Sequence, residues 1–296
     1  MELIKIKSAF ERLVGVRANL PQSVEAYGYR WIVGEAGDNT EYPIDMEDLE
    51  RLYPVAIKYI KKNIFNDNLE KCAISVPLEY YYNDKLLGFP KSEALKKQIK
   101  AISNVDVDIL PQGVMVLYVS RFWGRDDLNY VLVIDGGFNT VNISIIDKRD
   151  LEIKYVKTYY DEFGIRDLIE NYFLQEISVK YPEAKKNLQG LKDAFLKERY
   201  SLGFITIDVS AEKKRALNLF LERLVSRVVK DIKRKGLTFE SFIIAGGLSY
   251  YTDEFDTNLE YEILRPNGEF ANAIGIHKHT GLPAIDFGFG DIKIVK

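Results

Sequence analysis

Two stretches of the chain echo one another: I-D-G-G-F-N-T-V-N-I-S from Ile134 and I-D-F-G-F-G-D-I-K-I-V from Ile285. In each, an apolar run leads into an aspartate, a glycine turn follows, and an alternating strand leaves the turn. Ile, Asp, Gly and Phe coincide in register. Period-two alternation around a glycine turn predicts a β-hairpin. Two Asp-led hairpins in one chain imply a duplicated architecture with one hairpin in each half.

The same alternation predicts further strands at 2–7, 24–33, 71–76, 105–110, 151–159, 204–209 and 242–245. Helical periodicity is expected over 46–62, 92–102, 113–122, 165–180 and 211–235. The last of these sets Leu217, Leu221, Leu224, Val225, Val228 and Ile232 on one face and stops at Gly236. Its basic run reads as a solvated face rather than a nucleic-acid patch. Strands alternating with helices predict an α/β chain with two mixed sheets covered by helices. The apolar segment 113–122 and the charged loop 124–129 mark a domain junction.

A glycine turn lets backbone N–H groups approach phosphate oxygens, and a nearby lysine neutralises phosphate as a point charge. Asp135 and Asp286 would then stand beside like charge, which a hydrated Mg²⁺ between carboxylate and phosphate would relieve. An ordinary β-turn remains the plain alternative for either hairpin alone, as does a strand-end turn former for Asp135. Other nucleotide motifs fail. G-x-x-x-x-G-K-[ST] is missing from the sequence, and V-A-I-K at 55–58 sits in a helical pattern. D-F-G at 286–288 has too few residues after it for a protein-kinase lobe.

Five segments together resemble the actin superfamily of ATPases. D-x-G-x-G-x-x-K, the first phosphate hairpin of that family, matches Asp286, Gly288, Gly290 and Lys293. D-x-G-x-x-T, the second, matches Asp135, Gly137 and Thr140. The adenosine motif matches F-I-I-A-G-G-L, with Gly246, Gly247 and Leu248. The first connecting segment is similar to V-D-I-L-P-Q-G-V-M-V-L-Y-V-S, and the second to F-A-N-A-I-G at 270–275. P-Q-G at 111–113, V-P-L-E-Y-Y at 76–81 and N-G-E-F-A-N-A-I-G look most similar to plasmid-partitioning proteins of the ParM type and archaeal relatives.

The resemblance implies an actin-like (ribonuclease H-like) fold of two domains, 1–127 with 268–296 and 128–267, and a nucleotide cleft between them. It implies ATP or ADP as ligand, held by Asp286, Gly288, Phe289, Gly290, Asp291 and Lys293 of the first hairpin. Gly136, Gly137, Phe138, Asn139 and Thr140 of the second would hold it too, with Gly246, Gly247 and Leu248 at the adenosine. Asp291 stands where many relatives carry Ser, Thr or Asn. Asp286 and Asp135 would hold Mg²⁺ through water, and Asp135 and Gln112 would be catalytic, Gln112 orienting the attacking water. Without those motifs, Gln112 reads as a polar residue after Pro111.

One departure is large: the first phosphate hairpin opens the family's chains and closes this one. Joining the end to the start gives I-D-F-G-F-G-D-I-K-I-V-K–M-E-L-I-K-I-K-S, which reads as the family's opening strands and implies a circular permutation. Residues 1–7 are then expected to pair antiparallel with the tail. Termini that lie close tolerate such rejoining.

The function implied is Mg-ATP hydrolysis coupled to polymerisation into filaments, with the chain's own copies as partner and a DNA-binding adaptor as a further one. A small-molecule kinase of the same superfamily is the alternative, although a glutamine is a poor base for it. A nucleotide-regulated scaffold without hydrolysis is another. A net charge of −3 argues against direct nucleic-acid binding. One cysteine and two histidines argue against disulfide or zinc chemistry. The start lacks a signal-peptide pattern and no apolar run is long enough to span a membrane, so a cytoplasmic protein is expected.

Overall fold

The computed structural model describes residues 1–13, 20–34, 49–184, 187–253, 257–288 and 290–296, with the side chains of 49 and 50 outside the description. The chain forms two compact units, Met1–Val119 with Asn272–Lys296 and Ser120–Ala271. It crosses between them twice, after Val119 and after Ala271.

The first unit begins with β1 (Leu3–Lys7), β2 (Phe10–Leu13), β3 (Val24–Ala26) and β4 (Tyr29–Val33). The stretch 24–33, expected as one strand, is a tight hairpin, because Tyr27 and Gly28 both take positive φ and reverse the chain. Helix α1 (Leu49–Asn63) follows; the expected start at 46 lies outside the described residues. Next come β5 (Lys71–Val76), α2 (Leu78–Leu86), α3 (Pro90–Ser103) and β6 (Asp106–Pro111). After the second crossing the unit is completed by α8 (Ala271–Thr280), β14 (Ala284–Phe287) and β15 (Asp291–Val295).

Its main sheet runs β1-β15-β14-β5-β6. The first two pairings are antiparallel and the last two parallel. β5 is buried along Cys72–Val76, as a central strand covered on both faces must be. Tyr53, Ile57 and Ile60 of α1 pack with Ile74, Ile285, Phe287, Ile292 and Ile294 of the sheet to form the core. The tail pairs with residues 1–7 as expected: Leu3 stands opposite Val295 and Lys7 opposite Asp291.

The second unit holds β7 (Tyr130–Gly136), β8 (Thr140–Asp147) and β9 (Glu152–Tyr160), then α4 (Ile165–Asp167). α4 continues through a π-helical turn (Leu168–Phe173) into α5 (Leu174–Lys180), where one helix was expected over 165–180. α6 (Leu188–Lys197), the hairpin β10 (Arg199–Leu202) and β11 (Ile205–Asp208), α7 (Ser210–Arg234), β12 (Ser241–Gly246) and β13 (Glu260–Ile263) complete it. On α7, Leu217, Leu221, Leu224, Val228 and Ile232 are buried with Ala216 and Phe220, and Val225 is half-buried at the edge of the face.

The second main sheet, read as β9-β8-β7-β12-β13, repeats the first: two antiparallel pairings, then two parallel ones. β7 and β14, which carry Asp135 and Asp286, hold the same third place. The duplication seen as a local sequence echo therefore extends to whole sheets.

The helix expected over 113–122 is a correction. Gly113 takes φ +78°, and only Met115–Val119 coils, as a tight 3₁₀ turn. Val114, Met115, Val116 and Leu117 are all buried in succession, so the run carries none of the one-sided apolar periodicity that marks an amphipathic helix.

Candidate functional site

In the first unit, β14 and β15 join through a turn closed by the Gly288 N–H, which donates to the Asp291 carbonyl at 3.0 Å. Asp286 stands opposite Lys293 in this ladder, so both side chains emerge on one face. A Cβ on Gly288 would lie 2.5 Å from Lys293 Nζ, which places the amine directly over the turn. Ser8 fastens the turn from β1's end, its hydroxyl donating to the Gly288 carbonyl at 2.7 Å and its N–H to the Gly290 carbonyl at 3.1 Å. Phe289, expected in the same loop, lies outside the described residues.

Asp286 is buried, and its charge is met by directed donors. Oδ1 accepts from Ser75 Oγ at 2.6 Å and from Asn272 Nδ2 at 2.7 Å. Ser75 Oγ in turn accepts from the Phe287 N–H at 3.1 Å. Among the described residues, Oδ2 receives no hydrogen bond.

Gln112 follows β6, and its side chain reaches this hairpin: Nε2 donates to the Phe287 carbonyl. The next residue is held by the same asparagine that holds Asp286, since the Gly113 N–H donates to Asn272 Oδ1 at 3.1 Å. Beneath the hairpin, the Tyr53 ring packs on Phe287 with centroids 4.0 Å apart. Burial pushes the Tyr53 phenol well above its ordinary range, and the negative charge of Asp286 adds to the shift.

In the second unit, the Asp135 hairpin closes through the Gly137 N–H donating to the Thr140 carbonyl at 2.7 Å. Three carbonyls of the loop are then taken up by the segment leading into α4. Gly137 O accepts from Ile165 N at 3.1 Å, Phe138 O from Arg166 N at 3.0 Å, and Asn139 O from Asp161 N at 2.8 Å. With its carbonyls turned to these donors, the loop is held by its backbone and not by chance side-chain packing.

Gly246 and Gly247 lie against this hairpin through the parallel β12–β7 pairing, where Gly246 stands opposite Gly136. Gly246 has φ +70° and ψ −163°, a conformation open in practice to glycine alone. A Cβ on Gly136 would fall 2.4 Å from Leu248 Cβ, so Leu248 caps the strand end. A depression of about 340 Å³, lined by Phe138, Asn139, Gly164 and Arg166 among others, opens beside the loop.

The predicted residues thus gather at two places. Gln112, Asp286, Gly288, Gly290, Asp291 and Lys293 gather around one hairpin, and Asp135 to Thr140 with Gly246 to Leu248 around the other. Sequence reasoning did not single out Ser8, Tyr53, Ser75 or Asn272. Asn272 lay inside the quoted F-A-N-A-I-G segment, but its partners are far from it in the chain.

No protein-family model matches the chain, and no curated protein matches it. Solved structures do. The archaeal actin homologue Ta0583 aligns at 15% identity over 93% of this chain and 91% of its own, with a TM-score of 0.67. Its complex with ADP aligns with a TM-score of 0.60 at 14% identity, over 93% of this chain and 92% of its own. A non-polymerisable quadruple mutant of pCBH ParM gives 18% identity, 93% and 92% coverage and a TM-score of 0.57. The Alp12 filament structure gives 17%, 93% and 88%, and 0.56. At these identities the likeness speaks for architecture. The chain has the actin-like fold.

Proposed function

We propose that the chain binds and hydrolyses Mg-ATP and polymerises into nucleotide-dependent filaments of its own copies. The observation that carries this is the pair of Asp-led glycine hairpins at the same place in two sheets of identical pairing pattern. The Ta0583 complex with ADP and the Alp12 filament, both of this fold, support the two halves of the reading.

In this reading the hairpin amides hold phosphate, Lys293 neutralises it, and the Gly246–Leu248 turn meets the adenosine. Among the described residues no group of three or more His, Cys, Asp or Glu side chains could cage a metal. That suits a magnesium ion held by phosphate oxygens and water, with Asp286 and Asp135 as outer carboxylates. Such an ion, when bound, supplies charge neutralisation at the phosphates. With Nε2 of Gln112 engaged by the Phe287 carbonyl, Oε1 is the atom available to accept from an attacking water.

The order of strands also supports a circular permutation. β7, β8 and β9 follow one another in the chain, whereas their counterparts β14, β15 and β1 are split between β15 and β1. Among the described residues no helix is long and apolar enough to cross a membrane. A role in DNA segregation through a separate DNA-binding adaptor fits the acidic net charge of −3.

Phosphate release with Mg-ATP, compared between the wild type, Gln112→Ala and Asp135→Asn, tests hydrolysis. Sedimentation with and without ATP, inspected by negative-stain microscopy, tests assembly. Unaltered turnover in both variants would overturn the assigned roles, and no ATP-dependent polymer at any salt or temperature would overturn the filament.

A further inference from the structure

One side chain in the first unit serves two groups that the proposed reaction uses separately. Asn272 is buried, 4% exposed, and its amide is fully directed. Nδ2 donates to Asp286 Oδ1 at 2.7 Å, and Oδ1 accepts from the Gly113 N–H at 3.1 Å. Gly113 directly follows Gln112, whose own amide is fixed on the Phe287 carbonyl, one residue after Asp286. Asn272, Gly113, Gln112, Phe287 and Asp286 therefore form one closed chain of contacts.

We propose that Asn272 is a positioning residue that sets the Asp286 carboxylate and the Gln112 turn together. The inference rests on the Mg-ATP reading above. Its physical content is twofold. Because Asn272 and Ser75 both donate to Oδ1, the carboxylate is held in one rotation with Oδ2 left for outer-sphere contact with a hydrated cation. Because the same amide accepts from Gly113, any shift of the carboxylate moves the turn that carries Gln112. An amide is the side chain that can do both, since it offers a donor and an acceptor from one planar group. An aspartate at this position keeps the acceptor for Gly113 and turns the contact with Asp286 into repulsion.

The test uses the full chain, with ADP as the probe, titrated by calorimetry with and without Mg²⁺. For Asn272→Asp, the Mg²⁺ concentration that half-saturates the ADP complex is expected to rise by about threefold or more, less than the roughly tenfold typical where the oriented carboxylate ligates the metal directly. Metal-free ADP affinity should stay within about twofold in the uncharged variant Ser75→Ala, whereas the added carboxylate of Asn272→Asp also repels phosphate, and thermal melts report whether the fold is intact. Ser75→Ala, which removes the other donor to Oδ1, should move the Mg²⁺ dependence the same way and serves if the first variant fails to fold.

The link to Gln112 is read from a double-mutant cycle. Gln112→Ala should cost about a hundredfold in kcat in the wild type and much less in an Asn272→Leu background, because coupled residues are not additive. Unchanged Mg²⁺ dependence, equal losses with and without metal in Ser75→Ala, or strictly additive kcat effects would each overturn the proposal. If the wild-type chain itself binds no ADP, the Mg-ATP reading fails first, and the two failures are told apart.

Discussion

Gly246 and Asp135 approach so closely that a Cβ on the glycine would stand 2.5 Å from Asp135 Oδ1. The same atom would meet the Gly136 carbonyl oxygen at 2.5 Å, in a backbone conformation that disfavours any other residue. Gly246→Ala is therefore expected to cost about 1–3 kcal/mol in backbone strain alone, and to displace the Asp135 carboxylate. Urea unfolding should show the loss of stability. ADP titration at a temperature where the variant is folded should show weaker binding than the wild type.

A second close approach lies in the first unit. A Cβ on Gly275 of α8 would fall 1.8 Å from the Met115 carbonyl oxygen, in the short 3₁₀ turn. Backbone cannot yield as a flexible side chain does, so Gly275→Ala should destabilise by about 3 kcal/mol or more. Chemical denaturation checks this. A melting temperature equal to the wild type's would mean that the two segments are not pressed together.

Acid should weaken the second unit in a defined window. Hydrogen bonding from Arg149 holds Asp147 down from 3.8 to about 2, with the Arg149 and Lys154 charges adding to it. A carboxylate with a depressed folded-state value stabilises above its unfolded value and loses that contribution as pH falls through the folded one. The contribution of Asp147 should thus be level above about pH 5 and be lost progressively as pH falls from there to about 1. Asp147→Asn should flatten part of that decline in denaturation curves taken across this range.

Cys72 offers a chemical probe of opening. The thiol is fully buried in β5, and burial, with a smaller contribution from Asp108, pushes its pKa up to about 12. Thiolate is the reactive form. At pH 8 a maleimide should leave the native protein unlabelled and label it at a rate that climbs steeply with urea. Rapid labelling of the native state, seen by intact mass, would contradict the burial.

The rejoined hairpin can be built. The Glu2 N–H donates to the Lys296 carbonyl at 3.3 Å and the Lys296 N–H to the Glu2 carbonyl at 3.1 Å, so these residues already sit opposite one another. Joining Lys296 directly to Met1 would leave too little chain to turn. A linker of about two to four residues matches a common hairpin turn. A permutant starting at 283, carrying that linker and ending at 282, should fold and bind ADP as the parent does. Loss of folding would count against the proposed permutation.

How much of this was legible follows from where each signal resides. The β5 strand and the Leu217-to-Ile232 face of α7 were readable because alternation and helical period are local. The segment after Gly113 misled because four buried apolar residues in a row satisfy either geometry. Its turn packs closely against Gly275, far away in the chain, at the Met115 carbonyl, a contact that local sequence does not signal. α6 went unseen although Asn187 caps it through the Gly190 N–H at 3.2 Å, a cue the sequence did carry. Asp286 and Lys293 were found as a motif. Asn272 and Ser75 were not, because a hydrogen bond to Asp286 leaves no trace in their immediate neighbours.

The placement of β14 and β15 has a consequence for the order in which the molecule is made. Every strand of the second main sheet lies within the continuous stretch 120–271, so that sheet can assemble while later residues are still being synthesised. β1, by contrast, precedes the whole second unit in the chain and waits without its neighbour until β15, which follows that unit, is translated. The long closure makes the first unit the slower to form.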